Sequence, residues 1–247
     1  METVIIREIP FVNATKEEVL RLLCQRIEQG EKTAVFTPNA EIMQRSVEDA
    51  SFRAVLLQGD MLVADGSGVL LASRILGTPV REKIPGVELG EVLLASSERA
   101  VFFLGGKKGV AEKAAENLKA KYPALRIVGC RDGYFDREGE ENEAVLAAIR
   151  QSGAEILFVC LGSPVQETWI TKNREALPDM LAFLALGGSL DVYAGAEKRA
   201  PKWMIRLHLE WLWRLIRHPD RLGRMGKIPR FLFGTLAESL HRRKKHG

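Results

Sequence analysis

Short apolar runs rich in β-branched and aromatic residues alternate along the first two-thirds of the chain with stretches whose apolar positions recur every three or four residues. The runs Thr33–Phe36, Met61–Ala64, Val101–Leu104, Arg126–Val128, Ile156–Leu161 and Leu181–Leu186 predict strands. Several are almost continuously apolar, the pattern of strands covered on both faces. Between them, Lys16–Gln29, Ala40–Gln58 (as two pieces), Gly68–Leu76, Val87–Ser97, Gly109–Lys121 and Glu141–Gln151 predict helices. This βαβα rhythm predicts an α/β fold, Rossmann-like, with a mostly parallel sheet and helices on both faces. After Tyr193-Ala194-Gly195 the pattern becomes helical throughout. Trp203–Arg217 reads as one helix stopped by His218-Pro219, with shorter pieces following through Leu240. The expected organisation is a body over 1–196 and a helical appendage over 197–247.

Charge sharpens that division. Residues 197–247 hold 14 Lys+Arg against 4 Asp+Glu, a net of +10, whereas the other 196 residues carry a net of −6. All four histidines and three of the four tryptophans (Trp203, Trp211, Trp213) also lie in the appendage. A body without histidine that moves a proton near neutral pH must use a carboxylate. The isoelectric point near 9.0 invites a nucleic-acid reading, but an acidic body repels a phosphate backbone and carries no aromatic platforms, so no nucleic-acid partner is expected. The opening METVIIREIPFVNAT lacks the apolar core of a signal peptide, and no run approaches the roughly 20 apolar residues that span a bilayer. Cys24, Cys130 and Cys160 form no metal or redox motif and read as buried free thiols of a cytoplasmic protein.

Ligands of such folds gather at the carboxyl ends of the strands, and five polar or glycine-rich clusters fall there. Thr37-Pro38-Asn39 offers a hydroxyl and an amide, although Asn39 equally suits the N-cap of the next helix. Asp65, followed by Gly66-Ser67-Gly68, places a carboxylate at a strand end as a base, or caps the helix after it. Gly105-Gly106-x-x-Gly109 is either a tight turn or an amide cradle for a diphosphate at a helix N-terminus. In Gly162-Ser163-Pro164-Val165-Gln166-Glu167, Gln166 reads as a ligand donor and Glu167 as a dipole partner of the helix start. Gly187-Gly188-Ser189-Leu190-Asp191 supplies the competing carboxylate, Asp191. No Asp-x-Asp, His-Glu-x-x-His or Cys/His group is present, so neither metal nor cofactor is expected, and a leaving diphosphate must be held by amides and cations.

In the appendage, Ile205, Leu209, Leu212 and Ile216 make one apolar stripe on the predicted helix, flanked by tryptophans and arginines. The stripe is either a seam, against the body or in a homo-oligomer, or a helix lying on an anionic membrane. Arg221, Arg224, Lys227, Arg230 and Arg242-Arg243-Lys244-Lys245 extend the basic surface, and some of these arginines suit a diphosphate in the crevice.

Together, Thr37-Pro38-Asn39, Ala64-Asp65-Gly66, Gly105-Gly106-x-x-Gly109-Val110-Ala111, Leu161-Gly162-x-Pro164-x-Gln166-Glu167 and Ala200-Pro201-x-Trp203 strongly resemble the WecG/TagA/CpsF family of bacterial glycosyltransferases, from about residue 5 to residue 235. The resemblance implies an inverting, metal-independent transferase forming a β-1,4 bond from a UDP-sugar to a polyprenyl-diphosphate-linked GlcNAc. In the wall teichoic acid branch the donor is UDP-N-acetylmannosamine and the acceptor GlcNAc-diphosphate-undecaprenol, which makes the second step of the linkage unit. It further implies Asp65 as base, with Thr37, Asn39, Lys83 and Gln166 lining the site. It implies too a basic appendage that closes over the site and associates peripherally with the inner face of the cell membrane; from the residues themselves, Arg214, Arg221 and Arg224 are the candidate diphosphate ligands. Related sequences usually show arginine where Lys83 stands; lysine keeps the charge and loses the bidentate fork.

Other readings follow from the same residues. The donor is alternatively UDP-N-acetylmannosaminuronic acid or a hexose derivative of another surface polysaccharide. Of a different class is a non-catalytic nucleotide-sugar-binding module recruited to membranes, in which Asp65→Ala leaves ligand binding intact.

Overall fold

The computed structural model describes residues 2–207, 209–217, 223 and 226–246, with the backbone alone for residues 202, 214 and 242–246. Strands β1 (Thr3–Ile6) and β2 (Ile9–Val12) form an antiparallel hairpin. Strands β3 (Thr33–Phe36), β4 (Met61–Leu62), β5 (Val101–Gly105), β6 (Ile127–Arg131), β7 (Ile156–Cys160) and β8 (Ala182–Ala185) form one sheet in the order β4-β3-β8-β7-β5-β6. Every pairing in that sheet is parallel. The helices are α1 (Lys16–Glu28), α2 (Ala40–Glu48), α3 (Ala50–Leu56), α4 (Ser67–Ile75), α5 (Gly86–Ser96), α6 (Val110–Lys121), α7 (Glu140–Gln151), α8 (Val165–Asn173), α9 (Ser189–Tyr193), α10 (Lys202–Arg206), α11 (Glu210–Arg217) and α12 (Lys227–His246).

Why the strands read as unbroken apolar runs is now evident. Their side chains alternate between two separate cores, so neither face tolerates a polar position. Phe36, Phe102, Leu104, Leu157, Val159 and Phe183 point to the core shared with α2, α3, α4, α7 and α8. Val35, Val101, Phe103, Ile156, Phe158 and Leu184 point to the core shared with α1, α5, α6 and α9. Local signals set the helix ends. Thr15 and Glu18 make a capping box for α1, and the Asp49 side chain accepts from the Ser51 and Phe52 amides, which divides α2 from α3.

Several features differ from the sequence expectations. The hairpin β1–β2 was not foreseen, because its turn residues Arg7 (φ 49°) and Glu8 (φ 67°) adopt left-handed conformations without Gly or Asn, the residues that usually mark such turns. The strand expected at Arg126–Val128 instead runs Ile127–Arg131. Its register shifts against β5 between Val101 and Phe102, where the Phe102 ring fills the space that a Cβ on Gly129 would need (2.4 Å). The single helix expected over Trp203–Arg217 is two, α10 and α11. The Leu209 amide reaches back to the carbonyl of Met204 (2.8 Å), a bond across five residues that closes a helix end, and Met204 is buried. Of the three cysteines only Cys160 is buried, while Cys24 and Cys130 are half-buried.

The last helix is one piece of 20 residues rather than several, and it packs on the body against α2 and α4. Phe231 enters the α2/α4 core, and Ser239 Oγ donates to the Ile75 carbonyl (2.9 Å). Lys227 and Arg230 both pair with Glu48 (3.1 Å each), and Glu238 pairs with Arg7 in the hairpin turn (3.3 Å). Part of the basic charge that the sequence showed is thus spent on acidic side chains of the body.

Candidate active site

The carboxyl edge of the sheet assembles the predicted residues in two adjoining groups. In the first, the loops after β3 and β4 and the segment before α5 interlock. Thr37 is buried and its Oγ1 donates to the Ala185 carbonyl of β8 (2.8 Å), tying neighbouring strands at their ends. The Asp65 amide donates to the Pro38 carbonyl (3.2 Å), and the Ile84 amide to the Ala64 carbonyl (2.8 Å). Gly86 lies so close that a Cβ there would stand 3.1 Å from Thr37 Oγ1. Thr37, Asn39, Asp65 and Lys83 therefore occupy one cluster of loops, although 46 residues of chain separate Thr37 from Lys83.

The alternatives left open for these residues divide. Asn39 does cap α2: its Oδ1 accepts from the Glu41 (2.9 Å) and Ile42 (3.1 Å) amides, leaving Nδ2 as the part that a ligand can meet. For Asp65, the N-cap position of α4 belongs to the next residue, Gly66 (φ 87°). Asp65 is half-buried at the strand end. Lys83 is paired with Glu210 at the start of α11, so the cation at the crevice already faces a carboxylate from the appendage. Nothing in the sequence joined those two residues.

The second group lies at the ends of β5, β7 and β8. Gly105 (φ 136°) passes so near β7 that a Cβ would stand 2.3 Å from the Cys160 carbonyl oxygen. Gly106 (φ 74°) and Gly109 (φ 84°) are also left-handed, and Gly109 is the N-cap of α6. Two of the loop's amides already have acceptors: Gly106 donates to Cys160 (3.4 Å) and Val110 to Lys107 (2.9 Å). A diphosphate is left the other amides of this helix start, a smaller cradle than the motif implied. The loop after β6, unmarked in the sequence reading, folds against it. The Gly133 amide donates to the Gly106 carbonyl (2.9 Å), and Tyr134 is exposed beside it.

Gln166 is buried and clamped at both ends of its amide. Nε2 donates to Glu167 Oε1 (2.9 Å), while Oε1 accepts from the Gly187 amide (2.9 Å). Glu167, read from sequence as a dipole partner of the helix start, is buried in the first turn of α8. Burial pushes its carboxyl above the usual carboxylate range, and the bond from Gln166 opposes this. Asp191 sits half-buried in the first turn of α9. The thiols offer no competing nucleophile: burial raises Cys130 to about 11 and Cys160 to about 12. Among the described residues no three His, Cys, Asp or Glu side chains gather as a metal-ligand set.

Of the diphosphate ligands proposed from sequence, Arg221, Arg224 and the Arg214 side chain lie outside the described residues. Of the stripe, Ile205, Leu209 and Leu212 are half-buried and Ile216 is exposed. The exposed apolar set of α10 and α11 is instead Trp203, Leu207, Trp211 and Ile216. Among the described residues no helix is long and apolar enough to cross a membrane.

Comparison with known proteins places these residues in a wider setting. The sequence model of the glycosyl transferase WecG/TagA/CpsF family matches residues 4–245. The chain is 34% identical, over its whole length and 95% of the relative's, to the N-acetylglucosaminyldiphosphoundecaprenol N-acetyl-beta-D-mannosaminyltransferase of Bacillus spizizenii. It is 33% identical to the protein of the same name in Bacillus subtilis, covering 98% of this chain and 94% of that one. A Staphylococcus aureus protein, also of that name, is 33% identical over 85% of this chain and 82% of its own.

Proposed function

Because the chain belongs to the WecG/TagA/CpsF family of glycosyl transferases, we propose that it moves N-acetylmannosamine from UDP-N-acetylmannosamine to O4 of GlcNAc-diphosphate-undecaprenol. The product is the β-1,4 disaccharide of a wall teichoic acid linkage unit. The observation that carries this reading is the meeting of Thr37, Asn39, Asp65 and Lys83 at one strand-end crevice beside the glycine loop, in a chain like relatives named for that transfer.

The chemistry needs little more. The acceptor O4 attacks the anomeric carbon from the face opposite UDP. A new C–O bond forms, the bond from C1 to the diphosphate oxygen breaks, and the O4 proton passes to the Asp65 carboxylate. The body contains no histidine to compete for that proton. Charge on the departing UDP is met by amides of the Gly105–Gly109 turn and by cations of the crevice and appendage, without a metal ion. The Asn39 amide and the Thr37 loop hold the sugar hydroxyls and acetamido group. The prenyl chain stays in the membrane, against which the exposed Trp203, Leu207, Trp211 and Ile216 lie from the cytoplasmic side. A uronate donor would need a further cation at the sugar carboxylate, and Lys83 is already paired.

The test is UDP release from UDP-N-acetylmannosamine with a short-chain lipid-diphosphate-GlcNAc acceptor, in EDTA, for wild type and Asp65→Ala. Turnover in wild type with a loss of at least about a hundredfold in the variant is expected. Turnover only with a uronate or hexose donor would move the substrate. Equal rates in the two proteins would remove Asp65 as base.

A further inference from the structure

Among the described residues, Glu167 is the buried residue that carries an ionisable carboxyl. It is 1% exposed, in the first turn of α8. One oxygen accepts from Gln166 Nε2, while the other, Oε2, is buried without a hydrogen bond of ordinary geometry, with the equally buried Ser163 Oγ as its neighbour. A buried acid with an unmet oxygen destabilises a fold relative to an apolar side chain of the same size. Its other oxygen, Oε1, has a definite partner.

That oxygen selects one of two ways round for the Gln166 amide. With Nε2 drawn to Glu167, the carbonyl oxygen of Gln166 faces the Gly187 amide and accepts from it (2.9 Å). With the amide reversed, an NH2 would oppose the Gly187 N–H, donor against donor, and leave two buried groups unmet. An apolar residue at 167 cannot choose between the two. Gly187 is left-handed (φ 56°) and, with Gly188, joins β8 to α9, which carries Asp191. The Gly188 Cα carries no side chain beside Asp191, whose Oδ2 would lie 3.6 Å from a Cβ there. The Thr37 tie to Ala185 holds the same strand end two residues upstream.

We propose that Glu167 is a positioning residue, which through the Gln166 amide holds the Gly187–Asp191 turn in the form that receives the nucleotide-sugar donor. This rests on the transferase reading above, and takes Gln166 and Asp191, at the ends of β7 and β8, as lining its donor side. Glu167 touches no substrate. Its hold survives protonation, because a neutral carboxyl keeps one acceptor oxygen for Nε2.

The experiment follows amide hydrogen exchange at Gly187, together with transfer kinetics, in the full chain. Glu167→Met keeps the length and removes the acceptor; Glu167→Gln keeps an acceptor. The exchanged pair Gln166→Glu with Glu167→Gln keeps an acceptor for the Gly187 N–H and an N–H···O bond between the neighbours. Glu167→Met is expected to speed Gly187 exchange at least about tenfold. It should also raise the donor KM about tenfold while the acceptor KM stays within about twofold. Glu167→Gln and the exchanged pair should hold Gly187 exchange within about threefold of wild type. Wild-type exchange in Glu167→Met overturns the proposal, as does equal loosening in the exchanged pair of a still-folded protein, which decides the matter if Glu167→Met does not fold. Changed exchange with donor and acceptor KM raised alike overturns it too. If wild type transfers no N-acetylmannosamine, the function above falls; the exchange comparison, with UDP binding in place of donor KM, still decides this proposal.

Discussion

Lys83 of the body and Glu210 of helix α11 form an ion pair in which the lysine side chain is 12% exposed and the glutamate 24%. Arg199 approaches the same glutamate (4.0 Å) and binds Glu88 (2.7 Å), which also holds Lys16 (2.9 Å). The appendage is thereby fastened to the body three residues before Gly86, whose backbone lies against Thr37.

Lys83→Ala should release α11 and cost about 1–2 kcal/mol, since it strands a half-buried carboxylate. Proteolysis between α10 and α11 should quicken, and kcat/KM should fall by more than about tenfold. Lys83→Arg keeps the charge and adds a fork, so both measures should stay within about threefold of wild type.

Two glycines of the phosphate-side turn should respond differently to substitution. Gly105→Ala sets a Cβ 2.3 Å from the Cys160 carbonyl at a φ of 136°, and should cost about 2–4 kcal/mol in denaturant unfolding. Gly109→Asn meets open space at a φ of 84°, a conformation that Asn tolerates, and should cost about 1 kcal/mol or less.

Acid should loosen α12. A hydrogen bond from Gln44 and contacts from Lys227 and Arg230 lower Glu48 from 4.5 to about 2. A carboxylate whose folded pKa lies below its unfolded one stabilises the fold above the unfolded value, and the contribution fades as pH falls through the folded one. Protection of the α12 amides in wild type, taken relative to the intrinsic exchange rate at each pH, should therefore fall as pH drops from 4.5 towards 2. Glu48→Gln should show faster exchange already at neutral pH, and a flatter response across that window.

Vesicle binding should depend on the exposed apolar set rather than on the stripe read from sequence. Trp211→Ala with Ile216→Lys should lower co-sedimentation with anionic vesicles at least about fivefold. Leu212→Gln alters a half-buried position and should act mainly on stability, read as thermal unfolding.

The parallel body was legible because its strands must satisfy two cores at once, which leaves an apolar run with no polar position to blur it. The ends of α1, α2 and α3 were legible through Thr15, Asn39 and Asp49, whose side chains bond amides two or three residues away. The hairpin was not, since its left-handed turn uses Arg7 and Glu8, held by Glu238 and Arg53 from elsewhere in the chain. The break between α10 and α11 carries no Gly or Pro; it is made where the Leu209 amide reaches back to the carbonyl of the buried Met204.

By itself the sequence determined what depends on neighbours along the chain: periodicity, caps, the glycine turn, the lack of histidine in the body, and the charge of the tail. It also determined the list of strand-end residues, because a parallel sheet puts all carboxyl ends on one edge. Only the tertiary structure decided which of them interact and through what. Thr37 is held by Ala185, Gln166 by Glu167 and Gly187, and Lys83 by Glu210, with Glu48 as the anchor of α12. Most of these partners lie far apart in sequence, and a hydrogen bond or ion pair leaves no periodic trace in the chain that makes it.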